Sequence, residues 1–181
     1  MRKTFILGLS LLIFSFVIIN AASAEDKEFA NRKGFLIGFG PMVGTETNHI
    51  KMVAGGLGFR IGYAFNEKIS LYYDDSSLFT RRKIGGEMRT MMLLSGQAKT
   101  QVFLWNNFYA NAGVGFSDAR YNDRGAQMDT KMGFGFSTGA GYEFRMTKHF
   151  VLSPEISFGY HRIGGTNFYA PIGYLHLGWY L

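Results

Sequence analysis

The amino-acid sequence predicts an all-β fold, a closed eight-stranded antiparallel up-and-down transmembrane β-barrel over residues 34–181. Three observations predict it. Large apolar residues alternate with small or charged ones at period two in three well-separated segments. Short polar breaks recur roughly every 40 residues, as they would between two-stranded hairpins. The face opposite the aromatics is too poor in charge to coat a sheet in water.

Composition narrows the alternatives. The 181 residues contain 17% aromatic and 18% charged side chains, too greasy and too weakly charged for a disordered chain. The 24 glycines follow no three-residue period, which excludes collagen. With no cysteine there is neither a disulfide framework nor a thiolate metal site. The formal charge of +6 falls to +4 without Arg2 and Lys3 of the N-terminal stretch, a mild balance, so no nucleic-acid partner is expected.

The elements follow in order. Arg2 and Lys3 precede an apolar stretch over 5–19, and Ala22-Ser23-Ala24 then offers the small residues of a cleavage site before Glu25-Asp26. Residues 1–24 are read as a signal peptide and 25–33 as a polar N-terminal lead-in. Beyond residue 24 no run reaches the ~18 apolar residues of a spanning helix, so membrane insertion would have to use strands. In the second strand Val53, Leu57, Phe59, Ile61, Tyr63 and Phe65 alternate with Ala54, Gly56, Gly58, Arg60, Gly62 and Ala64. Between Met132 and Met146 the even positions include Phe134, Phe136, Tyr142 and Phe144, against Gly133, Gly135, Ser137, Gly139, Gly141, Glu143 and Arg145. Phe150, Leu152, Ile156, Phe158 and Tyr160 repeat the pattern against Ser153, Glu155, Ser157, Gly159 and His161. Tight turns are expected at 66–68, 105–107 and 147–149, and longer connections at 44–51, 80–87, 122–130 and 164–167. These breaks give strands near 34–43, 52–65, 69–79, 88–104, 108–121, 131–146, 150–163 and 168–181.

Closure follows from the solvent. In hydrocarbon every backbone amide needs a partner, and only a closed sheet leaves none unpaired. The aromatic face is placed in lipid and the glycine-rich face in a crowded lumen. Counted from the tight-turn or C-terminal end of its strand, each of Arg60, Asp74, Lys99, Glu155 and His176 lies five residues in, so these side chains are expected to gather in one layer. With Glu143 they form the expected lumen network. Symmetric pairing about the turns sets Arg60 opposite Asp74, Lys99 opposite Gly113 and Glu155 opposite Gly141, leaving long side chains room to cross. A one-residue slip would send these groups into lipid, at about 2–4 kcal/mol for each Arg or Lys near the midplane.

The final alternation, with Tyr169, Leu175, Leu177, Trp179 and Leu181 on the lipid side, completes an architecture that resembles the small outer-membrane β-barrel proteins of Gram-negative bacteria, the OmpA-like transmembrane and OmpX/Ail-like group. Gly139-Ala140-Gly141-Tyr142-Glu143-Phe144 shows the pattern typical of that group. The resemblance implies residence in the cell outer membrane. Its implied partners are outer-membrane lipids including lipopolysaccharide, with the barrel-assembly machinery and periplasmic chaperones during biogenesis. Members usually finish on Phe or Trp, whereas this chain reads Trp179-Tyr180-Leu181.

Four kinds of chemistry have candidate residues. Some outer-membrane barrels modify lipid A, and Asp74, Asp75, Ser76, Ser77, His161 and His176 are the candidates here for an acid, base and nucleophile set. Ser76 and His161 lie at depths about 10 Å apart at ~3.3 Å per residue along tilted strands, beyond hydrogen-bond reach. His161 is followed by Arg162 and Ile163, not by the His-x-Ser-Asn pattern of the lipid A deacylases. No catalytic residue is assigned, and the chain is not read as an enzyme. His49, His149, His161 and His176 show no metal-ligand spacing, so neither a metal nor a cofactor is expected. Eight strands enclose an interior that side chains can fill, which leaves only a narrow gated channel as a transport alternative. At the outer rim Arg81, Arg82 and Lys83 form the candidate contact for lipopolysaccharide or another anionic surface ligand. The expected function is structural and surface-interacting, with a lipid A-modifying enzyme or narrow gated channel as alternatives.

Overall fold

The computed structural model describes residues 32–45, 53–84, 87–123, 126–128 and 132–181, with side chains at 82–89 and 121–128 outside the description. The expected signal over 1–24 and most of the 25–33 lead-in also lie outside the described residues. The described chain forms β1 (Gly34–Thr45), β2 (Val53–Ala64), β3 (Ile69–Ile84), β4 (Glu87–Trp105), β5 (Phe108–Asp123), β6 (Ala126–Met128), β7 (Gly133–Tyr142), β8 (Phe144–Arg145), β9 (Phe150–Ile163) and β10 (Thr166–Tyr180). These segments make eight walls, because β6 and β7 both pair with β5 while β7 and β8 both pair with β9.

Every pairing is antiparallel, and the sheet closes on itself. β1 pairs with β2 on one side and with β10 on the other, running from Leu36 opposite Tyr180 to Gly44 opposite Ile172. The Leu181 amide donates to the Phe35 carbonyl at 2.8 Å and finishes the seam. No wall of the barrel is left as an open edge, which is what a sheet in hydrocarbon requires. Arg60 stands opposite Asp74, Lys99 opposite Gly113 and Glu155 opposite Gly141, the pairings given by symmetric counting from the turns.

Side-chain exposure separates the two faces. Ile156 is 77% exposed and its neighbour Glu155 only 3%. Phe35, Phe39, Leu57, Phe59, Val114 and Phe136 likewise point outward, while Arg60, Asp74, Lys99 and His176 are buried inside. Glycine makes room for long side chains at two places in particular. A Cβ on Gly141 would come 2.5 Å from the Tyr109 ring, and one on Gly113 would meet the Lys99 side chain and the Ala98 carbonyl oxygen.

Three connections differ from the sequence expectation, the expected 122–130 break among them, since β5 and β6 pair from Tyr121 opposite Met128 to Asp123 opposite Ala126. β3 and β4 remain paired as far as Ile84 and Glu87, so Arg81, Arg82 and Lys83 lie on a strand instead of in a long loop. The ladder simply continues past Phe79, because polar residues do not stop strand pairing once it extends into water. The break at 164–167 tightens to the two-residue turn Gly164-Gly165, whose φ angles of 57° and 82° match the twist of a hairpin and favour glycine.

The lumen differs too. Its upper part holds an apolar cluster including Met42, Leu78, Met91, Leu93, Ile163, Phe168 and Ile172. The inward face is therefore glycine and charge through the middle and aliphatic in the upper part, with a smaller apolar cluster of Leu36, Ala64, Val151 and Tyr180 at the tight-turn end.

Candidate functional site

The charged layer is built by one inward residue from each of several walls. The Arg60 guanidinium on β2 donates to Glu155 Oε2 on β9 at 3.0 Å and lies 3.6 Å from Asp74 Oδ2 on β3. Lys99 Nζ on β4 reaches the same Asp74 oxygen at 3.4 Å. Tyr109 donates its hydroxyl to Glu155 Oε2 at 3.0 Å, and Arg60 Nη2 lies 2.5 Å from His176 Nε2. Aromatic faces complete the packing, with Arg60 over Tyr72 at 4.8 Å and His176 stacked on Tyr174 at 4.9 Å. Two cations meet two carboxylates here, so each buried charge has a compensating one and the desolvation cost of the set is offset by mutual attraction.

Glu143 belongs to a second cluster, towards the tight-turn end. It accepts from Arg32 Nε at 3.1 Å, Arg145 Nε at 3.1 Å and the Tyr180 hydroxyl at 2.7 Å. Arg32 comes from the lead-in just before β1. Its guanidinium sits 3.8 Å over the Phe103 ring and donates to Asn107 Oδ1 and the Glu67 carbonyl. A segment outside the barrel walls thus supplies one of the residues that fill this mouth. No sequence signal marks Arg32, which lies in a short polar stretch without alternation.

Above the charged layer lies a polar shelf. Ser137 donates to Gln97, Gln97 donates to Ser95 Oγ at 3.0 Å, and Ser117 Oγ lies 2.6 Å from His161 Nδ1. His161 thus bonds Ser117, which the sequence did not single out. Ser76, His161 and Lys99 line a remaining cavity of about 10 Å³ together with Leu78, Leu93 and Ile172. That space holds about one water molecule.

The other candidates are dispersed. Arg81 is exposed on the outward face of β3. Arg82 and Lys83 continue that strand, with side chains outside the described residues. Arg162 is exposed on β9, and Arg120 on β5 donates to Asp118 at 2.6 Å. His149 sits in a turn, where its ring lies 2.8 Å from the Tyr180 carbonyl, while His161 and His176 are in the lumen. His49 lies outside the described residues. Among the described residues no group of three His, Asp or Glu side chains is placed to hold a metal.

The comparisons fit this geometry. The family model for the outer membrane protein beta-barrel domain matches residues 9–179. The fold is similar to that of Neisserial surface protein A, at 15% identity and a TM-score of 0.64 over 82% of this chain and 97% of that one. It is also similar to the outer membrane protein OprG of Pseudomonas aeruginosa, at 12% identity and a TM-score of 0.58 over 86% and 99%. A third likeness is to the attachment invasion locus protein Ail of Yersinia pestis in complex with the heparin analogue sucrose octasulfate, at 15% identity and a TM-score of 0.54 over 84% and 99%. No curated protein matches by sequence. A closed eight-stranded barrel with an apolar exterior, matched over nearly its whole length, places the chain in the outer membrane protein beta-barrel domain family and in the cell outer membrane.

Proposed function

We propose that the barrel is a non-enzymatic envelope protein, a structural element of the outer membrane whose outward cationic rim binds anionic surface groups. The filled lumen carries this reading. Among the described residues, paired charges, a polar shelf and an apolar layer succeed one another between the walls, and the cavity beside Ser76 and His161 has space for about one water molecule. Ser117 and His161 are sealed inside that stack, where a lipid ester does not reach them. Their hydrogen bond orders the shelf.

Arg81, Arg82 and Lys83, supported by Arg120 and Arg162 on the outward face, suit lipopolysaccharide phosphates or a sulfated or acidic polymer. Arg81 and Arg162 are exposed at the loop-bearing end of their strands, where such headgroups lie. Ail binds a polysulfated sugar, and the same chemistry suits this rim. The lumen layer of Arg60, Asp74, Lys99, Glu155 and His176 supplies rigidity, together with the separate Glu143 cluster at the tight-turn end. The barrel-assembly machinery and periplasmic chaperones would serve it during biogenesis.

The deciding experiment measures binding of purified, folded protein to lipopolysaccharide with Arg81, Arg82 and Lys83 all changed to Ala. Affinity falls at least tenfold if the patch is the contact, and unchanged affinity discards it. Lipid A mass stays the same on deletion of the protein, whereas a shift would restore the enzymatic alternative. In planar bilayers the protein is silent. Discrete conductance that Lys99→Ala enlarges would establish the channel instead.

A further inference from the structure

One wall of the exterior does not suit acyl chains. Outward residues on β1, β2, β9 and β10 are overwhelmingly large and apolar, but β3 presents Asp75 and Ser77 to the outside. On a strand rising ~3.3 Å per residue and tilted about 40°, each residue gains roughly 2.5 Å of depth. Ile69 to Phe79 on β3 therefore spans about 25 Å, the height of the apolar band of such barrels. Asp75 is exposed six residues above Ile69, near the middle of that band. At comparable depth the other walls present Phe59, Val114 and Ile156. An ionisable side chain at this depth is costly unless it faces a partner.

The Tyr73 hydroxyl and the Phe116 ring lie over Gly96, which stands opposite Asp75 in the β3–β4 ladder, while Ala98 opposite Tyr73 is exposed. Within about two residues of the same height the wall carries three hydroxyls, those of Tyr73, Ser77 and Thr100. Acceptor and donors at one level on one face make that face self-complementary under a two-fold axis. Barrels are inserted in one orientation only, so the axis must run along the membrane normal, and residues of equal depth then meet. A second copy meets the requirement with groups already present.

We propose that the β3–β4 wall is the contact face of a homodimer, in which the Asp75 carboxyl group of each copy accepts hydrogen bonds from Ser77, Thr100 or Tyr73 of the other. The axis passes close to Ala98. Because the sequence has no cysteine, Ala98→Cys gives a single reporter. The full protein carrying it is refolded into vesicles of phosphatidylethanolamine and phosphatidylglycerol, verified as folded by its gel shift on boiling, and oxidised. A covalent dimer is expected, while Ile156→Cys on another wall gives only the collisional background. Adding Asp75→Leu to Ala98→Cys lowers the dimer yield at least tenfold, and Asp75→Asn, which keeps an acceptor, preserves it. If Asp75→Leu does not insert, Tyr73→Phe combined with Ser77→Ala and Thr100→Ala serves as the disrupting variant. Equal yields from positions 98 and 156 would overturn the proposal. So would a dimer indifferent to the disrupting variants, or cross-links in whole outer membranes that join position 98 only to a different protein.

Discussion

Replacing Glu155 by Gln tests the lumen network where it is most constrained. The Glu155 side chain is fully shielded and the Arg60 side chain 4% exposed, with 3.0 Å between them. The carboxamide keeps the volume and one acceptor but removes a charge, leaving Arg60 and Lys99 facing Asp74 alone. Stranding one partner of a buried pair costs about 3–5 kcal/mol, and the retained acceptor sets the expectation at the lower end, about 3 kcal/mol. Arg60→Met strands the opposite sign and costs a similar amount. The double variant restores balance, since Asp74 still has Lys99 at 3.4 Å. Its loss should fall short of the sum of the single losses by at least ~1 kcal/mol. Urea unfolding of the barrel in lipid vesicles, followed by tryptophan fluorescence and extrapolated linearly, measures all three. Single variants within 1 kcal/mol of the parent, or strictly additive losses, would show that the lumen is wet and the charges are solvated.

Other perturbations probe separate layers. Arg32→Ala removes both the Glu143 bond and the guanidinium over Phe103, lowering stability by about 1–3 kcal/mol in the same urea assay. A neutral result would mean that the lead-in does not seat in the mouth. Gly113→Leu collides with the Lys99 side chain and the Ala98 carbonyl, so the variant should fail to reach the compact, boil-sensitive gel form. Normal folding would refute that packing. Ser117→Ala leaves His161 Nδ1 without its hydroxyl partner and costs about 1–3 kcal/mol. Lipid A mass is expected to stay constant in cells carrying it, and altered mass would assign the pair a chemical role.

The fold was legible because the two faces contrast strongly where it matters. Along β2, β7 and β9 most outward positions are bulky and apolar while most intervening ones are small, polar or charged, so period, register and turn symmetry all follow from the residues themselves. Legibility fails where neighbouring residues match. Met91-Met92-Leu93-Leu94 is greasy on both faces, so nothing in it reveals that Met91 and Leu93 build an apolar layer inside the lumen. Asp74-Asp75 and Ser76-Ser77 are likewise paired. Alternation puts Asp74 inside but gives no reason for Asp75 to stand in lipid. The Ser117 contact with His161 crosses from β5 to β9 over the intervening β7. Such contacts depend on barrel stagger, which the sequence specifies only through the sum of all turns. Arg145 lies two residues from Glu143 on the same face, but Arg32 reaches Glu143 across the mouth, and depth along one strand does not say which side chains converge across the barrel.

The central claim is that the greasy face of this closed sheet meets acyl chains. Nitroxide labels on Leu57→Cys, Ile156→Cys and Leu175→Cys, compared with one on Lys148→Cys in a turn, test it directly in bilayers. Dissolved oxygen should relax the first three strongly and a water-soluble nickel chelate should barely touch them, with the order reversed at position 148. Nickel relaxation at position 156 as strong as at position 148 would contradict the account.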